Sequence, residues 1–373
     1  MYKSIALHVL AGLLIATPAA AFHDGGVARC SGCHTMHNSQ DGTPVDPENP
    51  NGNQWLLVEE TPSDVCLGCH QYLDETAGTD PLNPPPEKGA GNFVFLTEEN
   101  LNDGHSGASN PIPGDAAGHN VVAPGYGLFE DGTLITSPGG SFPSSALGCT
   151  SCHDPHGNDN FRLLYGAGEP VQGGLVTFTS PAPEAIGISI FAQELPTRHT
   201  AYLSGMGDWC RNCHGDFHAT GARLVHPTDR ALGGQIARAY GLYNGTIDPE
   251  NGDPSMSYLP EVPFEDSSNT PASTQGPTAS SRISCVTCHR AHATSAPDAG
   301  RWDFNVTFLE EDGVESGSWA IPNPYVDLNQ RSLCNKCHVK DLWDAGFPGG
   351  DETNPDPGDP NPRREKEIYN GAR

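Results

Sequence analysis

Three features of the sequence predict a fold made mostly of loops and turns, with short α-helices and little β structure. The 373 residues include 44 glycines and 34 prolines, which interrupt regular helices and strands. Few apolar runs are long enough to build an ordinary core, and one five-residue pattern, Cys-x-x-Cys-His, occurs six times. We therefore expect groups held by this pattern to form most of the core, so that the usual proportions of helix and strand do not apply.

The repeated pattern occupies 30–34, 66–70, 149–153, 210–214, 285–289 and 334–338, and it uses all 12 cysteines. C-x-x-C-H is the attachment signature of c-type haem: two thiols form thioethers with one porphyrin, and the next histidine is the proximal iron ligand. The irregular spacing of the copies argues against an array of zinc sites, and a disulfide framework would not need the histidines. The sequence predicts a multihaem cytochrome c with six covalently attached haem c groups, each motif lying on a turn of helix.

The residues assigned to haem attachment fall into two sets. The thioether-forming residues are Cys30, Cys33, Cys66, Cys69, Cys149, Cys152, Cys210, Cys213, Cys285, Cys288, Cys334 and Cys337. The proximal iron ligands are His34, His70, His153, His214, His289 and His338.

The chain divides into three segments. Residues 1–21 have the features of a secretory signal peptide, with Lys3, a short apolar stretch and the small residues Ala19–Ala21 before the cleavage site. Its apolar run is shorter than the ~20 residues that a membrane-spanning helix needs, so we expect no membrane span. Residues 22–341 form the hexahaem unit, and residues 342–373 form a tail rich in proline, glycine and aspartate. Export through the periplasm to the cell surface or exterior agrees with bacterial haem attachment, which takes place outside the cytoplasm.

Regular elements are predicted at few places. The apolar spacing of 229–243 favours a helix, and 92–96 and 175–179 are candidate short strands. The polar segment 269–281 is expected to be an exposed loop before the fifth motif.

The formal net charge of −27 excludes nucleic acid as a partner, because no basic patch is present to displace counterions from phosphates. Two interpretations of the acidity remain open. It keeps the protein soluble, or it steers cationic partners or metal ions to the surface.

The supply of further histidines bears on function, because an electron carrier fills the second face of each iron whereas an enzyme leaves one open. Three histidines lie three residues beyond a motif histidine and one lies four beyond, a spacing that suits a neighbouring haem in a close pair. The candidate second ligands are His37, His156, His292, His218, His119, His226 and His23. His105 and His199 are expected to be ordinary surface histidines.

The segments FHDGGVARCSGCHTMHNS (22–39), CTSCHDPHG (149–157) and GDWCRNCHGDFHATGARLVHP (207–227), together with 66–71, 118–127, 137–143, 285–293 and 331–341, carry a family resemblance. With these residues the chain resembles the hexahaem c-type cytochrome nanowire subunits of metal-reducing bacteria. The loops 80–110 and 171–200 do not match that family, and the tail after Asp341 is extra.

The resemblance implies a polypeptide wrapped around a linear chain of six haems, which alternate between parallel-stacked pairs and T-shaped junctions. It implies bis-histidine ligation at every iron and head-to-tail polymerisation, with His37 ligating the fifth haem of the neighbouring copy. The other second ligands fall among His23, His119, His156, His218, His226 and His292. The redox partners implied are outer-membrane cytochromes and extracellular acceptors.

Three functions from different classes are compatible with these residues. The favoured one is a non-enzymatic, extracellular filament that conducts electrons. The alternative is a non-polymeric periplasmic or cell-surface shuttle, which would need His105 or His199 as an internal ligand for the fifth haem. A multihaem reductase is disfavoured, because all six proximal ligands are histidine and the candidate second ligands outnumber the irons.

Overall fold

A computed structural model of the chain describes residues 29–73, 89–98, 101–104, 111–188, 194–218, 228, 230–243, 252–304, 313–315 and 333–337. The predicted signal peptide, the tail, and His23, His105, His226 and His338 lie outside these ranges. Of His218 the backbone is described, at the end of a turn of helix.

Helices in the described part of the chain are short. The α-helices are α1 (Cys30–Cys33), α2 (Pro62–Leu73), α3 (Met206–Cys210) and α4 (Gly233–Leu242). Turns of 3₁₀ helix cover Gln54–Leu56, Phe93–Leu96, Gly114–Ala116, Pro124–Tyr126, Ser144–Ala146, Cys149–Ser151, Phe161–Leu163, Gln172–Gly174, Gly215–His218, Pro254–Met256, Cys285–Thr287, Pro297–Ala299 and Leu333–Lys336. No helix of the described residues is long and apolar enough to cross a membrane.

The longest helix, α2, has a strong start signal in its sequence. Pro62 occupies the first helical position, where its missing N–H costs nothing. The Thr61 hydroxyl accepts a hydrogen bond from the Asp64 N–H at 3.1 Å, and the Asp64 carboxylate accepts one from the Thr61 N–H at 3.2 Å. This reciprocal capping begins the helix that carries the second motif.

Strands in the described residues are short and antiparallel. The strands are β1 (Ser39–Gln40), β2 (Thr43–Pro44), β3 (Leu101–Gly104), β4 (Pro111–Ile112), β5 (Pro170–Val171), β6 (Val176–Thr177), β7 (Glu184–Ile186), β8 (Ala201–Ser204) and β9 (Gly313–Glu315). β3 pairs with β4 on one side and β9 on the other, whereas β1–β2, β5–β6 and β7–β8 form two-stranded pairs. These pairs are too small to form a packed sheet layer.

Apolar burial is divided among three clusters. One is formed by Val94, Phe95, Ile112, Ala117 and Ala293. A second is formed by Leu67, Phe93, Val121, Ala123 and Leu128. The third is formed by Tyr240, Tyr243, Tyr258, Val262, Phe264, Trp302 and Leu333, and it packs against three motif cysteines, Cys288, Cys334 and Cys337. This division agrees with a polypeptide that wraps several large apolar groups.

The predicted helix 229–243 is confirmed by α4, and the predicted strand 175–179 is confirmed over β6 alone. The strand predicted for 92–96 is wrong. Its apolar residues form a buried 3₁₀ turn, because the Asn92 side chain accepts a hydrogen bond from the Val94 N–H at 2.9 Å and caps a helical turn.

The segment 269–281 has no helix or strand, as expected, but it is not freely exposed along its length. Asn269 is buried and donates hydrogen bonds to the carbonyls of Tyr202 and Phe264, and Ser281 is buried at the other end. These contacts fix both ends of the loop that precedes the fifth motif.

Candidate haem sites

The motif cysteines lie on helical turns, as predicted. α1 spans the first pair, α2 contains the second and α3 ends on Cys210, whereas the third, fifth and sixth pairs lie on 3₁₀ turns. The backbone N–H of the motif histidine donates to the carbonyl of the first cysteine at 2.8 Å for His34 and 3.1 Å for His214. One turn of helix therefore brings both thiols and the histidine to the same face.

None of the described cysteines forms a disulfide. Burial raises the pKa of the Cys152 and Cys337 thiols to about 12, and it also raises the pKa of Cys288. Burial of these three sulfurs fits thioether attachment, since a thioether sulfur has no charge to desolvate.

A backbone carbonyl orients four of the histidines predicted to be proximal ligands. The Nδ1 atoms of His34 and His153 lie 3.0 and 2.7 Å from the carbonyl oxygens of Trp55 and Arg162. Those of His289 and His214 lie 2.9 and 2.7 Å from the carbonyl oxygens of Asp298 and Pro138. A carbonyl can only accept, so Nδ1 carries the proton and Nε2 presents its lone pair to a metal.

The first, third and fifth motifs share one local structure, which we call the odd-motif module (residues 30–58, 149–165 and 285–301). After each motif the chain returns as a 3₁₀ turn whose second residue supplies the carbonyl described above. The repeated backbone bonds are Thr35 N–H to Leu56, Asp154 N–H to Leu163, Arg290 N–H to Ala299, Val58 N–H to Cys33, Tyr165 N–H to Cys152 and Arg301 N–H to Cys288. Each module also contains a second histidine three residues beyond the motif: His37, His156 or His292.

The turn of the module is strained in all three copies. Trp55, Arg162 and Asp298 have φ values of 56°, 52° and 58°. A left-handed conformation costs a non-glycine residue about 1–2 kcal/mol, so the surrounding hydrogen bonds must hold it. The same left-handed conformation at three equivalent positions indicates that the module requires this carbonyl to lie beside the Nδ1 atom of the motif histidine.

Part of this module is readable in the sequence, although the sequence analysis missed it. The turn reads Asn-x-x-Leu-Leu at 53–57 and again at 160–164. In both copies the asparagine side chain donates to the carbonyl of the last leucine, at 3.4 Å for Asn53 and 2.8 Å for Asn160. The fifth-motif copy, 296–300, has a different sequence and the same backbone path.

Three predicted second ligands face a proximal histidine. The ring centroids are 6.4 Å apart for His34 and His156, 6.5 Å for His153 and His292, and 5.9 Å for His214 and His119. With a metal–nitrogen bond of about 2.0 Å and about 1.1 Å from that nitrogen to the ring centre, two imidazoles on opposite sides of one iron have centroids about 6.2 Å apart. The three pairs therefore fit a bis-histidine iron between their rings.

His292 and His119 are held by neighbouring backbone. The His292 N–H donates to Ala90 at 2.7 Å, and the His292 carbonyl accepts from the His119 N–H at 2.8 Å. The Nδ1 atom of His119 lies 2.5 Å from the Ala291 carbonyl, so this histidine too keeps Nε2 for a metal. Glycine at position 118 permits the close approach of the backbone segments that carry His119 and His292, because a Cβ there would lie 2.1 Å from the His292 oxygen.

His37 is placed differently from His156 and His292. It lies exposed on a bend at 36–38, beside Met36, which is 81% exposed. The position is that of a side chain available to a second molecule.

Consecutive motifs are neighbours in space. Burial raises the pKa of Cys33, Cys152 and Cys288, and a nearby thiol of the next motif raises each of them further. These nearby thiols are Cys69 for Cys33, Cys213 for Cys152 and Cys337 for Cys288. Hydrogen bonds join the thiols of Cys66 and Cys149 and those of Cys210 and Cys285. The order along the chain is therefore also the order in space, and contacts through second cysteines alternate with contacts through first cysteines.

The expectation that His199 is a surface histidine is wrong. Its side chain is fully buried, stacks on Tyr258 with ring centroids 3.7 Å apart, and places Nδ1 and Nε2 at 3.1 and 2.7 Å from the carbonyls of Thr200 and Ser273. Its role is to join loops in the core.

Comparisons with known proteins identify the family of this chain. Residues 143–172 match the family described as "Doubled CXXCH motif". The C-type cytochrome OmcS of Geobacter sulfurreducens (strain ATCC 51573 / DSM 12127 / PCA) is 31% identical over 425 aligned residues, which cover 89% of this chain and 97% of the relative.

Two solved structures have a similar fold. They are the cryo-EM structure of the OmcS nanowires from G. sulfurreducens, with a TM-score of 0.72 and 27% identity, and the outer membrane cytochrome S filament from the same bacterium, with a TM-score of 0.70 and 28% identity. Each match covers 86% of this chain and 100% of the other. With its repeated haem-attachment motifs, few helices and little sheet, this chain belongs to the OmcS family of c-type cytochromes.

Proposed function

We propose that this protein polymerises head to tail into an extracellular filament and conducts electrons along a linear chain of six bis-histidine haem c groups in each copy. One observation carries the proposal: in the modules of the third and fifth motifs, the second histidine faces the motif histidine of the preceding odd-motif module. His156 of the third motif faces His34 of the first, and His292 of the fifth faces His153 of the third.

The same pairing of histidines can extend across the boundary between two copies of the chain. His37 occupies the same position in the first of the odd-motif modules found in the sequence. The fifth motif carries the last of them, and the family resemblance assigns the second ligand of its iron to His37 of a neighbouring copy. Adding a second copy head to tail places His37 of one copy on the fifth haem of the other, so that each copy completes the next. Such an interface is heterologous and does not close on itself, which generates a filament.

The alternating sulfur contacts support two alternating kinds of junction along the chain. Haems joined through second cysteines (Cys33–Cys69, Cys152–Cys213 and Cys288–Cys337) would form one kind, and those joined through first cysteines would form the other. We assign these two kinds of junction to the stacked pairs and T-shaped junctions that the family resemblance implies.

When bound, haem supplies one-electron chemistry at its iron. Imidazoles would take both axial positions, and backbone carbonyls fix the Nδ1 atoms of five of them, those of His34, His153, His214, His289 and His119. The coordination sphere would then change little between the two oxidation states. The 46 acidic residues against 19 basic ones favour the ferric state and lower the potentials. With all axial positions filled, no iron would offer an open site for a substrate, so the proposed role is electron transfer. Outer-membrane cytochromes and extracellular acceptors would be the redox partners.

The non-polymeric shuttle is less well supported. It needed an internal ligand for the fifth haem from His105 or His199, and both ring nitrogens of His199 are already engaged with carbonyls in the core.

His37→Ala tests the filament directly. Haem-loaded, secreted variant protein should contain six haems per chain by haemochrome assay and form no filaments by negative-stain electron microscopy. Ser39→Ala, an exposed neighbour in β1, is the matched control and should form normal filaments. Normal filaments from His37→Ala would refute the inter-subunit ligand.

A further inference from the structure

A lysine is buried inside the sixth haem-attachment motif. Lys336 stands between Cys334 and Cys337, is fully buried, and lies beside the rings of Tyr240 and Tyr243. Burying a cation is costly unless it is fully hydrogen-bonded, so the surroundings of this ammonium group require an explanation.

The ammonium group is enclosed by three carbonyls and an aromatic ring. Lys336 Nζ donates to the carbonyls of Tyr240 at 2.9 Å and Ser257 at 2.7 Å, and it also donates to the carbonyl of Tyr243. Two of these carbonyls belong to the C-terminal end of α4, where the helix dipole favours a positive charge. Nζ also lies 4.0 Å from the centre of the Tyr240 ring.

This geometry matches the charged form of the side chain. An ammonium group has three N–H donors, and three carbonyls are present to accept them. A neutral amine has only two donors and would leave one of the carbonyls without a hydrogen bond. The three carbonyls and the aromatic ring therefore hold the ammonium form of Lys336.

Buried positive charge is confined to one end of the described chain. The buried cationic side chains of the described residues are Arg290, Arg301 and Lys336, all beside the fifth or sixth motif. Beside the second motif, by contrast, the buried charge is the carboxylate of Asp64 in α2. Near the fifth motif two acids, Glu265 and Asp303, are buried as well as the two arginines.

We propose that Lys336 is a positioning residue that acts through the sixth haem. Its buried charge raises the reduction potential of that haem relative to the haems at the other end of the chain, where Asp64 is buried. The charge acts through low-dielectric protein and not through solvent, so its effect on the iron is weakly screened. In a head-to-tail polymer, electrons would reside preferentially near this end of each copy. The inference rests on haem attachment at 334–338 and holds for single chains and filaments alike.

Lys336→Gln keeps N–H donors in the cage but removes the charge. In a potentiometric titration of the haem-loaded full chain at pH 6, one of six one-electron components should become at least tenfold harder to reduce, which is about 59 mV for one electron. Lys336→Arg keeps the charge and should restore the potential, an outcome that a purely structural role does not predict.

Arg211→Gln is the matched control. Arg211 lies inside the fourth motif but is half-exposed and pairs with Asp208 at 3.3 Å, so solvent screens its charge and no component should shift more than twofold. An Lys336→Gln protein with six haems and unshifted potentials would overturn the proposal.

A second measurement decides the matter if Lys336→Gln loads fewer than six haems. In protein that retains Lys336, His338→Met marks the sixth haem and His70→Met marks the second, because an axial methionine raises the potential of its own haem. The component marked by His338→Met should start at the higher potential of the two. A sixth haem that is harder to reduce than the second would overturn the proposal. Filament formation by electron microscopy, measured in parallel, reports separately on the proposed function.

Discussion

Gly118 is the position where a single methyl group should displace two axial histidines at once. It lies beside His119 and in close contact with the carbonyl of His292, which are assigned to the fourth and third haems. A Cβ at Gly118 would lie 2.1 Å from the His292 oxygen and 2.5 Å from the Ala293 Cα, against an ordinary contact of 3.4 Å or more. The two backbone segments must therefore separate by more than 1 Å.

This separation has two costs in Gly118→Ala. Overpacking a close contact costs about 1–3 kcal/mol. Loss of the hydrogen bond from the His119 N–H to the His292 carbonyl adds about 1 kcal/mol. The total destabilisation is about 2–4 kcal/mol, and the displacement is large compared with the tolerance of a metal–nitrogen bond of about 2.0 Å. We expect two of six haems to lose their second ligand.

Electron paramagnetic resonance of the oxidised, haem-loaded variant measures this loss, because an iron with one imidazole becomes high-spin. Gly118→Ala should convert about a third of the iron to the high-spin form and lower the midpoint of unfolding. Gly132→Ala is the matched control, since no atom lies within 4 Å of its added Cβ. Fully low-spin iron with wild-type stability in Gly118→Ala would refute the assignment of His119 and His292.

Two further changes test individual contacts. His156→Ala should convert one haem in six to the high-spin form by the same spectroscopy, since His156 faces His34; an unchanged spectrum would contradict that pairing. Asp46→Asn should lower stability by about 1–3 kcal/mol in guanidinium unfolding at pH 7, because a hydrogen bond from Asn53 lowers the pKa of the Asp46 carboxyl. That contribution is present above the unfolded pKa of about 3.9 and is lost as the pH falls through the lower folded value, so the variant and wild type should converge in acid and stay apart at neutral pH.

The haem chemistry was predictable from sequence because it is local. Two thiols and a histidine within five residues need only a turn of helix to act together, and the amphipathic spacing that became α4 is also a local signal. Identity of the second ligands was partly predictable: the CHxxH spacing selected His156 and His292, which the structure places opposite other motifs' histidines.

The carbonyl partner of each histidine was not predictable, because segments far away in the sequence supply it. The carbonyl that orients His214 belongs to Pro138, and the one that orients His119 belongs to Ala291. A buried histidine that joins two carbonyls and a surface histidine have the same sequence signature, which is why the prediction for His199 was wrong. Lys336 was equally hidden, since a lysine between two motif cysteines is normally solvated.

Cryo-electron microscopy of the secreted, haem-loaded chain tests the central claim most directly. The account predicts filaments of regular repeat in which His37 of one copy occupies the second axial position of the fifth haem in the next copy. Single particles with six haems at high protein concentration, or filaments in which the fifth haem takes both histidines from its own chain, would contradict it.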